Sequence, residues 1–210
     1  TPQQWDALVA KGDNSWRIAL NSTGQVGFAG TPIFTDFFST TVVTDGNWHH
    51  IAATYDGTTA RLYVDGAEEN SVSTSGNLDN SSFAVSVGEN LEATGRHYNG
   101  DLDELRIWNV ARNSTQISEY LNCGLSYGGN DDSFGGTEQG IVAYYSFNQG
   151  AAGSTNSTET QLTDSSQTQV NNGTLNNFAL TGSTSNWVSS GSADVSNISF
   201  TFSVTQISCN

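Results

Sequence analysis

The sequence has few positive charges. Six Lys and Arg residues stand against 21 Asp and Glu residues, which gives a formal net charge of −15. Such a surface repels phosphate backbones and anionic membranes, so nucleic acid is not an expected partner. It attracts divalent cations, and it is equally typical of halophilic solubility. No apolar run approaches the roughly 20 residues of a membrane-spanning helix, so membrane insertion is not expected.

Methionine is absent, and proline and cysteine occur only twice each. A chain without an initiator Met begins after processing or has been trimmed, so any secretion signal would lie outside it. Cys123 and Cys209 fit one disulfide in an extracellular setting, or two separate buried thiols. Asn-x-Ser/Thr sequons fit the same setting, although an Asn/Ser/Thr-rich chain also produces them by chance. We therefore predict a secreted or cell-surface protein.

Short β-branched and alternating runs recur between Gly, Asn and Asp residues, as in "SWRIAL", "HHIAATY", "ARLYV" and "GIVAYYSF". This spacing is typical of an all-β sandwich. Helical periodicity occurs once, in "NSTQISEYLN", where Asn113 can cap a short helix with Ile117 on its buried face. The pattern therefore predicts strands throughout and a single helix.

Composition changes after Cys123. The stretch "GLSYGGNDDSFGGTEQG" is acidic and rich in Gly, which favours a linker or a long loop. The chain that follows has fewer charges and more Asn, Ser and Thr. We place a domain boundary here, with a β-sandwich over residues 1–122 and a β-rich C-terminal extension over residues 123–210.

The stretch "TDGNWHHIAATYDGTTARLYVDG", residues 44–66, contains two adjacent histidines. Successive side chains of a strand point to opposite faces, so His49 and His50 cannot share a metal ion. The two Asp-Gly steps predict tight turns that close a strand pair. Trp48, just before the strand, is interpreted as a core residue, and the whole stretch as scaffold.

Two motifs in this order resemble the laminin G-like modules of the concanavalin A-like lectin superfamily: "DGNWHHIAATYDGTTARLYVDG" and, about 30 residues later, "GDLDELRIWNVAR". The resemblance covers residues 5–121. It implies an antiparallel jelly-roll β-sandwich of two sheets. It also implies a secreted or surface module that commonly binds calcium and serves in glycan binding or adhesion.

The chain departs from that family at its start, where members usually have one or two earlier strands. The segment from Gly140 resembles the opening of such a module. It is therefore a second, shortened module, or a part that completes the first sandwich in permuted order, or an accessory β extension. We expect the C-terminal extension to dock on the sandwich, because an open sheet edge would otherwise remain.

The acidic pair in "GDLDELRIWN" is the main candidate metal site. Asp101 and Asp103 are two residues apart on a predicted strand, hence on one face, and paired carboxylates suit Ca²⁺. In the family, the Asp at the position of Asp103 resembles a ligand of a structural calcium ion, and pentraxin-type relatives suggest Glu89 and Asn90 as further ligands. The alternative is a carboxylate that accepts hydrogen bonds from turn amides.

The loop "GENLEATGRHYNG", residues 88–100, is the main candidate glycan site. Sugars are bound by aromatic faces and by charged or amide groups that contact their hydroxyls, which selects Arg96, His97 and Tyr98. Trp187 lies in an exposed-looking context and is a candidate sugar platform. The alternative is a solvated loop in which Tyr98 packs on the sheet edge.

No catalytic arrangement is recognised. A glycosidase of this fold would need alternating acids at positions 101, 103 and 105, and position 105 is Leu. We therefore predict a non-catalytic, calcium-stabilised carbohydrate-binding or adhesive module, with glycans or surface polysaccharide and other chains of a surface assembly as partners. The alternatives are a structural spacer of a surface fibre and, less favoured, a glycosidase or lyase.

Overall fold

The computed structural model describes residues 2–121, 125, 140–166, 170–181 and 187–188, and the backbone of residues 200–204. These residues are nearly all in β-strands and their connections, as the sequence predicts. The strands are β1 Asp6–Ala10, β2 Trp16–Leu20, β3 Gln25–Gly30, β4 Phe34–Val42, β5 Ile51–Tyr55, β6 Thr59–Val64, β7 Ala67–Ser73, β8 Ser86–Val87, β9 Leu105–Trp108, β10 Ile141–Tyr145, β11 Gln161–Leu162, β12 Gly173–Thr174 and β13 Phe200–Val204.

Two sheets form the sandwich. One has five strands in the order β4-β3-β2-β1-β8, and the other has six in the order β10-β9-β13-β5-β6-β7. A continuous apolar core lies between them and includes an aromatic cluster. Phe34 of β4 lies 4.9 Å from Phe28 of β3 and 5.5 Å from Tyr55 of β5, measured between ring centroids. The contact between Phe34 and Tyr55 therefore ties the two sheets together, and the predicted β-sandwich is confirmed.

The strand alternation predicted for the histidine stretch is also present. Ile51, Ala53 and Tyr55 lie in the core between the sheets, whereas Ala52 packs on the opposite side with Tyr63 and Ile117. The two Asp-Gly steps separate β5 from β6 and β6 from β7, and the Gly of each step has a positive φ. Since only Gly adopts such angles without strain, these steps fix both hairpins.

The single predicted helix is α1, Ser114–Glu119. Asn113 caps it, because its side chain accepts from the backbone of Gln116 while the Gln116 side chain accepts from the backbone of Asn113, a reciprocal capping box. Ile117 is the buried residue of α1 and packs on the outer face of the six-stranded sheet. The helix therefore covers a face that would otherwise be open to solvent.

Strands from the C-terminal third belong to the same six-stranded sheet. β10 pairs antiparallel with β9 along one edge, and β13 lies between β5 and β9, parallel to both. Three alternatives were given for the C-terminal third, and these pairings agree with the one in which it adds strands to the first sandwich. The division of the chain after residue 122 stays a prediction, and Cys123 and Cys209 lie outside the described residues.

A second buried layer covers the outer face of the six-stranded sheet, and it contains charges. Arg106 is 1 % exposed and donates to a carboxylate oxygen of Glu104, which is 5 % exposed, at 3.0 Å. The hydroxyl of Tyr144 donates to the same oxygen at 2.7 Å. Arg106 also donates to the backbone carbonyl of Tyr120, just after α1, at 3.0 Å. This layer, defined by Glu104, Arg106 and Tyr144, joins β9, β10 and the end of α1.

Within the described ranges, no helix is long and apolar enough to cross a membrane.

Candidate binding cleft

A cleft of about 400 Å³ opens at one end of the sandwich. Residues 44–49, which precede β5, form one wall, and residues 98–101, which precede β9, form the other. Leu8, Leu20 and Ile51 contribute core side chains to its floor. The lining residues are Pro2, Asp6, Leu8, Leu20, Val43, Thr44, Gly46, Asn47, Trp48, His49, Ile51, Tyr98, Asn99 and Asp101.

The first wall is held by two carboxylates. Asp45 accepts from the backbone and the side chain of Asn47, both at 2.8 Å, and these hydrogen bonds lower the pKa of Asp45 to about 2. Asp65 accepts from the backbone amide of His50 at 2.9 Å. The ring of His49 lies between them, 2.8 Å from Asp65 and 3.2 Å from Asp45. The half-buried Trp48 is therefore presented by a fixed turn.

The charge state of His49 follows from these contacts. Its partial burial alone would lower the pKa of the imidazole, but the hydrogen bonds and charges of Asp65 and Asp45 outweigh that effect and raise the pKa above its ordinary value. This shift favours the positively charged form of His49, and that charge is compensated by its two carboxylate neighbours.

The second wall carries Tyr98. Its ring is half-buried and packs against the main core, and its backbone amide donates to the carbonyl of Gly88 at 3.0 Å. Burial raises the pKa of Tyr98, and the nearby charge of Asp101 adds to the increase. A side chain at position 100 would collide with the Tyr98 hydroxyl, so Gly100 allows the ring to lie close to the backbone.

Family comparison is consistent with this architecture. A family model named Laminin_G_3, of the concanavalin A-like lectin/glucanases superfamily, matches residues 1–118. The chain belongs to this laminin G-like family. The matched residues include both walls of the cleft and the strands β1 to β9.

One solved structure shares the fold of this chain. A crystal structure of a candidate carbohydrate-binding protein from Bacteroides ovatus matches with a TM-score of 0.62 and 17 % identity, over 87 % of this chain and 52 % of that one. The chain thus spans about half the length of this relative. An S-layer domain-containing protein from Clostridium thermocellum matches with a TM-score of 0.34 and 21 % identity, over 52 % of this chain and 58 % of that one. No curated protein matches the chain.

Of the glycan-site residues predicted from the sequence, Tyr98 lines the cleft and the other three do not. Arg96 is turned to the outer face of the five-stranded sheet, where it donates to both carboxylate oxygens of Asp13 at 2.8 and 2.9 Å and lies 6.0 Å from the ring of Trp5. His97 is exposed, with its ring 3.8 Å from the carboxylate of Glu89. The polar residues of the loop at 88–100 therefore do not form one site, since only some of them face the cleft.

The interpretation of Trp187 as an exposed platform is wrong. Its side chain is 5 % exposed and belongs to the main core. Phe178 packs edge-on against it with ring centroids 5.2 Å apart, and its indole lies directly against the backbone at Gly150. The Gly- and Ser-rich sequence around Trp187 resembles a surface loop, but burial of the large indole against these partners is the stronger effect.

The placement of Asp101 and Asp103 on one face of a strand is also wrong. β9 begins at Leu105, residues 101–104 have no regular structure, and Glu104 has φ of 53°, which breaks the alternation. Asp101 is exposed and lines the cleft. Asp103 is half-buried, accepts from the backbone amide of Glu104 at 2.9 Å, and has a pKa raised to about 6, chiefly by burial.

The other two predicted metal ligands have protein partners. Asn90 is completely buried, donates to Asp13 at 2.8 Å and accepts from the backbone of Glu92 at 3.1 Å. Glu89 faces His97. Within the described part of the chain, no three His, Cys, Asp or Glu side chains form a group that could hold a metal ion. The calcium site at Asp103 therefore stays a prediction.

Sequence reasoning missed Trp48 as a lining residue because it was assigned to the core. The signal that could have found it is the preceding Asp45-Gly46-Asn47 turn. Gly46 has φ of 91°, which requires a turn outside the strand. A tryptophan directly after such a turn stands at the end of a sheet, where it can line a surface cleft.

Proposed function

We propose that this chain is a non-catalytic carbohydrate-binding module and that its ligand occupies the cleft between residues 44–49 and residues 98–101. The observation that carries this proposal is the pairing of two half-buried aromatic side chains, Trp48 and Tyr98, with amide and carboxylate groups in one cleft. Aromatic rings bind the apolar C–H faces of sugars, while amides and carboxylates contact the hydroxyls.

The dimensions of the cleft fit a small part of a glycan. Its volume of about 400 Å³ falls in the roughly 300–1,000 Å³ range of small-molecule sites. Asn47 and Asn99 both line the cleft, one from each of the two segments, so each segment offers amide donors and acceptors. Because the floor is made of core side chains and the first wall is fixed by Asp45 and Asp65, little ordering is needed on binding.

We propose a non-catalytic module because the acidic residues near the cleft are not arranged as a catalytic pair. Asp6 lies at the start of β1 and accepts from the backbone amide of Gln3 at 2.8 Å, which assigns one oxygen to chain structure. Leu105, at the position where a third alternating acid would be needed, is buried in the core. The superfamily description includes glucanases as well as lectins, so hydrolysis of any bound glycan is measured alongside binding.

We also propose that the module is extracellular and that calcium stabilises it through Asp103. The raised pKa of Asp103 supports this, because a half-buried carboxylate gains from a bound cation. The net charge of −15 favours cation binding in general.

A glycan array probed with the full chain in calcium, and again in chelator, tests the proposed function. The matched variants are Trp48→Ala and Trp5→Ala. Trp5 is also half-buried, but it stacks between Phe38 and Arg17 and does not line the cleft. We expect Trp48→Ala to lose binding by tenfold or more, since loss of a central aromatic contact removes about 2 kcal/mol or more.

We expect Trp5→Ala to retain the array signal, with a melting curve recorded for both variants. Equal binding by wild type and Trp48→Ala, with both folded, would contradict the assignment of the cleft. An array with no signal in either buffer would contradict carbohydrate binding and favour a structural spacer.

A further inference from the structure

The charged side chains that line the cleft are mainly negative. Among the described residues, those that line it include Asp6 and Asp101 and no Lys or Arg. His49 is its one basic residue, and its ring is held between Asp45 and Asp65. Any positive charge on His49 is thus compensated within the wall, and the exposed carboxylate of Asp101 remains available to a ligand.

Each of the six Lys and Arg residues of the chain is placed elsewhere. Arg17 and Arg96 pair with Asp36 and Asp13 on the outer face of the five-stranded sheet. Lys11 donates to the carbonyl of Phe83. The remaining three are Arg61, which pairs with Asp56, Arg106, which is buried with Glu104, and Arg112, which lies over the ring of Trp108.

The aromatic residues reinforce this polarity. The face of an aromatic ring carries negative potential and attracts cations, so Trp48 and Tyr98 add to the field of the two carboxylates. Asp101 is close enough to Tyr98 for its charge to affect the phenol. Asp6 is only 6 % exposed, so its charge is poorly hydrated and has more to gain from a cationic partner than a fully hydrated carboxylate.

We propose that the cleft selects glycans that carry ammonium groups, meaning polymers of amino sugars with free amines, and rejects glycans that carry carboxylate or sulfate groups. This inference rests on the proposed function and names its ligand class. An ammonium group has three donors, which suits carboxylates and aromatic faces on two walls. An anionic sugar would face Asp6 and Asp101 without a cationic side chain to compensate it.

The test compares three oligosaccharides of equal length by isothermal titration calorimetry: a glucosamine oligomer, its fully N-acetylated counterpart, and a polyuronate. Measurements are made in chelator, so that calcium cannot bridge carboxylates, and at a mildly acidic pH where the amines are protonated. We expect the glucosamine oligomer to bind about tenfold or more tightly than the acetylated oligomer, from charge-assisted contacts, and the polyuronate not to bind.

Asp101→Asn and Asp79→Asn are the matched variants. Both remove one exposed carboxylate, but only Asp101 lines the cleft. We expect Asp101→Asn to weaken binding of the glucosamine oligomer about tenfold and to weaken binding of the acetylated oligomer by a clearly smaller factor. Asp79→Asn is expected to leave both unchanged.

Three outcomes overturn the inference. In the first, the acetylated or uronate oligomer binds as tightly as the glucosamine oligomer or more tightly, and Trp48→Ala abolishes that binding. In the second, Asp101→Asn and Asp79→Asn weaken binding of the glucosamine oligomer equally. In the third, Asp101→Asn does not change binding of the glucosamine oligomer. In the first case carbohydrate binding by the cleft stands while its charge selectivity fails. Absence of binding by all three oligomers, together with a silent glycan array, overturns the proposed function itself.

Discussion

The two sides of the chain just before β5 show how different the surroundings of adjacent residues can be. His49 faces the cleft, where Asp45 and Asp65 raise its pKa. His50 faces the second buried layer, is 3 % exposed, and has its pKa lowered to about 3 by burial and by the charge of Arg106. In the described part of the chain, neither ring nitrogen of His50 has a hydrogen-bond partner. Because adjacent side chains point to opposite faces, the pKa values of these two neighbouring histidines shift in opposite directions.

The cleft and the second buried layer should also differ in what a substitution changes, binding in the first and stability in the second. In the buried layer, charges are paired and removed from water, so their loss should affect folding. Most polar groups that line the cleft keep contact with solvent, so their loss should affect binding more than folding. Substitutions on the two sides test this division.

The largest effect is expected for the ion pair of the buried layer. Arg106→Met leaves the Glu104 carboxylate buried and without its cation, and it should lower the free energy of unfolding by about 3–5 kcal/mol. The double variant Arg106→Met, Glu104→Gln should recover much of this loss, because the uncompensated charge is gone. Urea denaturation measures both. A loss of less than about 1 kcal/mol for the single variant would show that the layer is hydrated.

The next effect is the pH dependence set by His50. Its pKa is near 3 in the folded chain and about 6.5 when unfolded, so protons bind the unfolded state preferentially and stability falls as pH drops below about 6.5. Between neutral pH and pH 5 the loss should be about 2 kcal/mol. His50→Leu should remove that dependence, and the exposed His97→Gln should not. Identical pH profiles for wild type and His50→Leu would contradict the account.

A smaller effect on stability is expected for Asp103→Asn, and its sign should differ between chelator and calcium. Its folded pKa near 6 lies above the unfolded value, so without a bound cation the ionised group destabilises the fold above about pH 6, and this penalty fades as pH falls toward 4. At neutral pH in chelator, Asp103→Asn should therefore raise stability by about 1 kcal/mol, after allowance for its partial exposure.

In saturating calcium the same variant should be less stable than wild type. A bound ion at about 100 times its dissociation constant adds about 2.7 kcal/mol to a native state that holds it. The exposed Glu119→Gln is the control and should respond to neither buffer. Stabilisation by Asp103→Asn in both buffers would remove Asp103 from the proposed calcium site.

The smallest effect is expected at His49. Because its folded pKa is raised, its pairing with Asp45 and Asp65 adds stability that is complete below about pH 6.5 and is lost as pH rises through the folded pKa. His49→Gln should lower stability by about 0.5 kcal/mol at mildly acidic pH, since the group keeps contact with solvent. The pH trend of this loss is opposite to that of His50, and a parallel trend would break the comparison.

Much of the fold could be predicted from the sequence because its determinants are local. Strand alternation around Ile51, the two Asp-Gly hairpins and the Asn113 cap each depend on residues within a few positions. The paired motifs also indicated the correct family. The place of β13 between β5 and β9 depends on pairing across about 90 to 150 residues, and no local pattern specifies it.

The candidate site was less predictable because it depends on packing between distant segments. Trp48 and Trp187 both follow polar, turn-forming residues, and yet Trp48 lines the cleft while Trp187 is buried against Phe178. Glu104 directly follows the half-buried Asp103, but its positive φ directs its carboxylate into the buried layer, where Arg106 and Tyr144 bind it. Which indole or carboxylate is covered depends on chain segments far away in the sequence.

The most direct test of the central claim uses the five indole N–H signals of the chain in a two-dimensional ¹H–¹⁵N NMR spectrum, one for each tryptophan. The full chain is titrated with the oligosaccharide that gives the strongest array signal, and the signals are assigned by single Trp→Phe variants. We expect the Trp48 signal to shift in proportion to occupancy, while those of Trp5, Trp16, Trp108 and Trp187 do not follow the titration. A shift of the Trp5 signal with Trp48 unmoved would place the glycan on the outer face of the five-stranded sheet and contradict the cleft as the binding site.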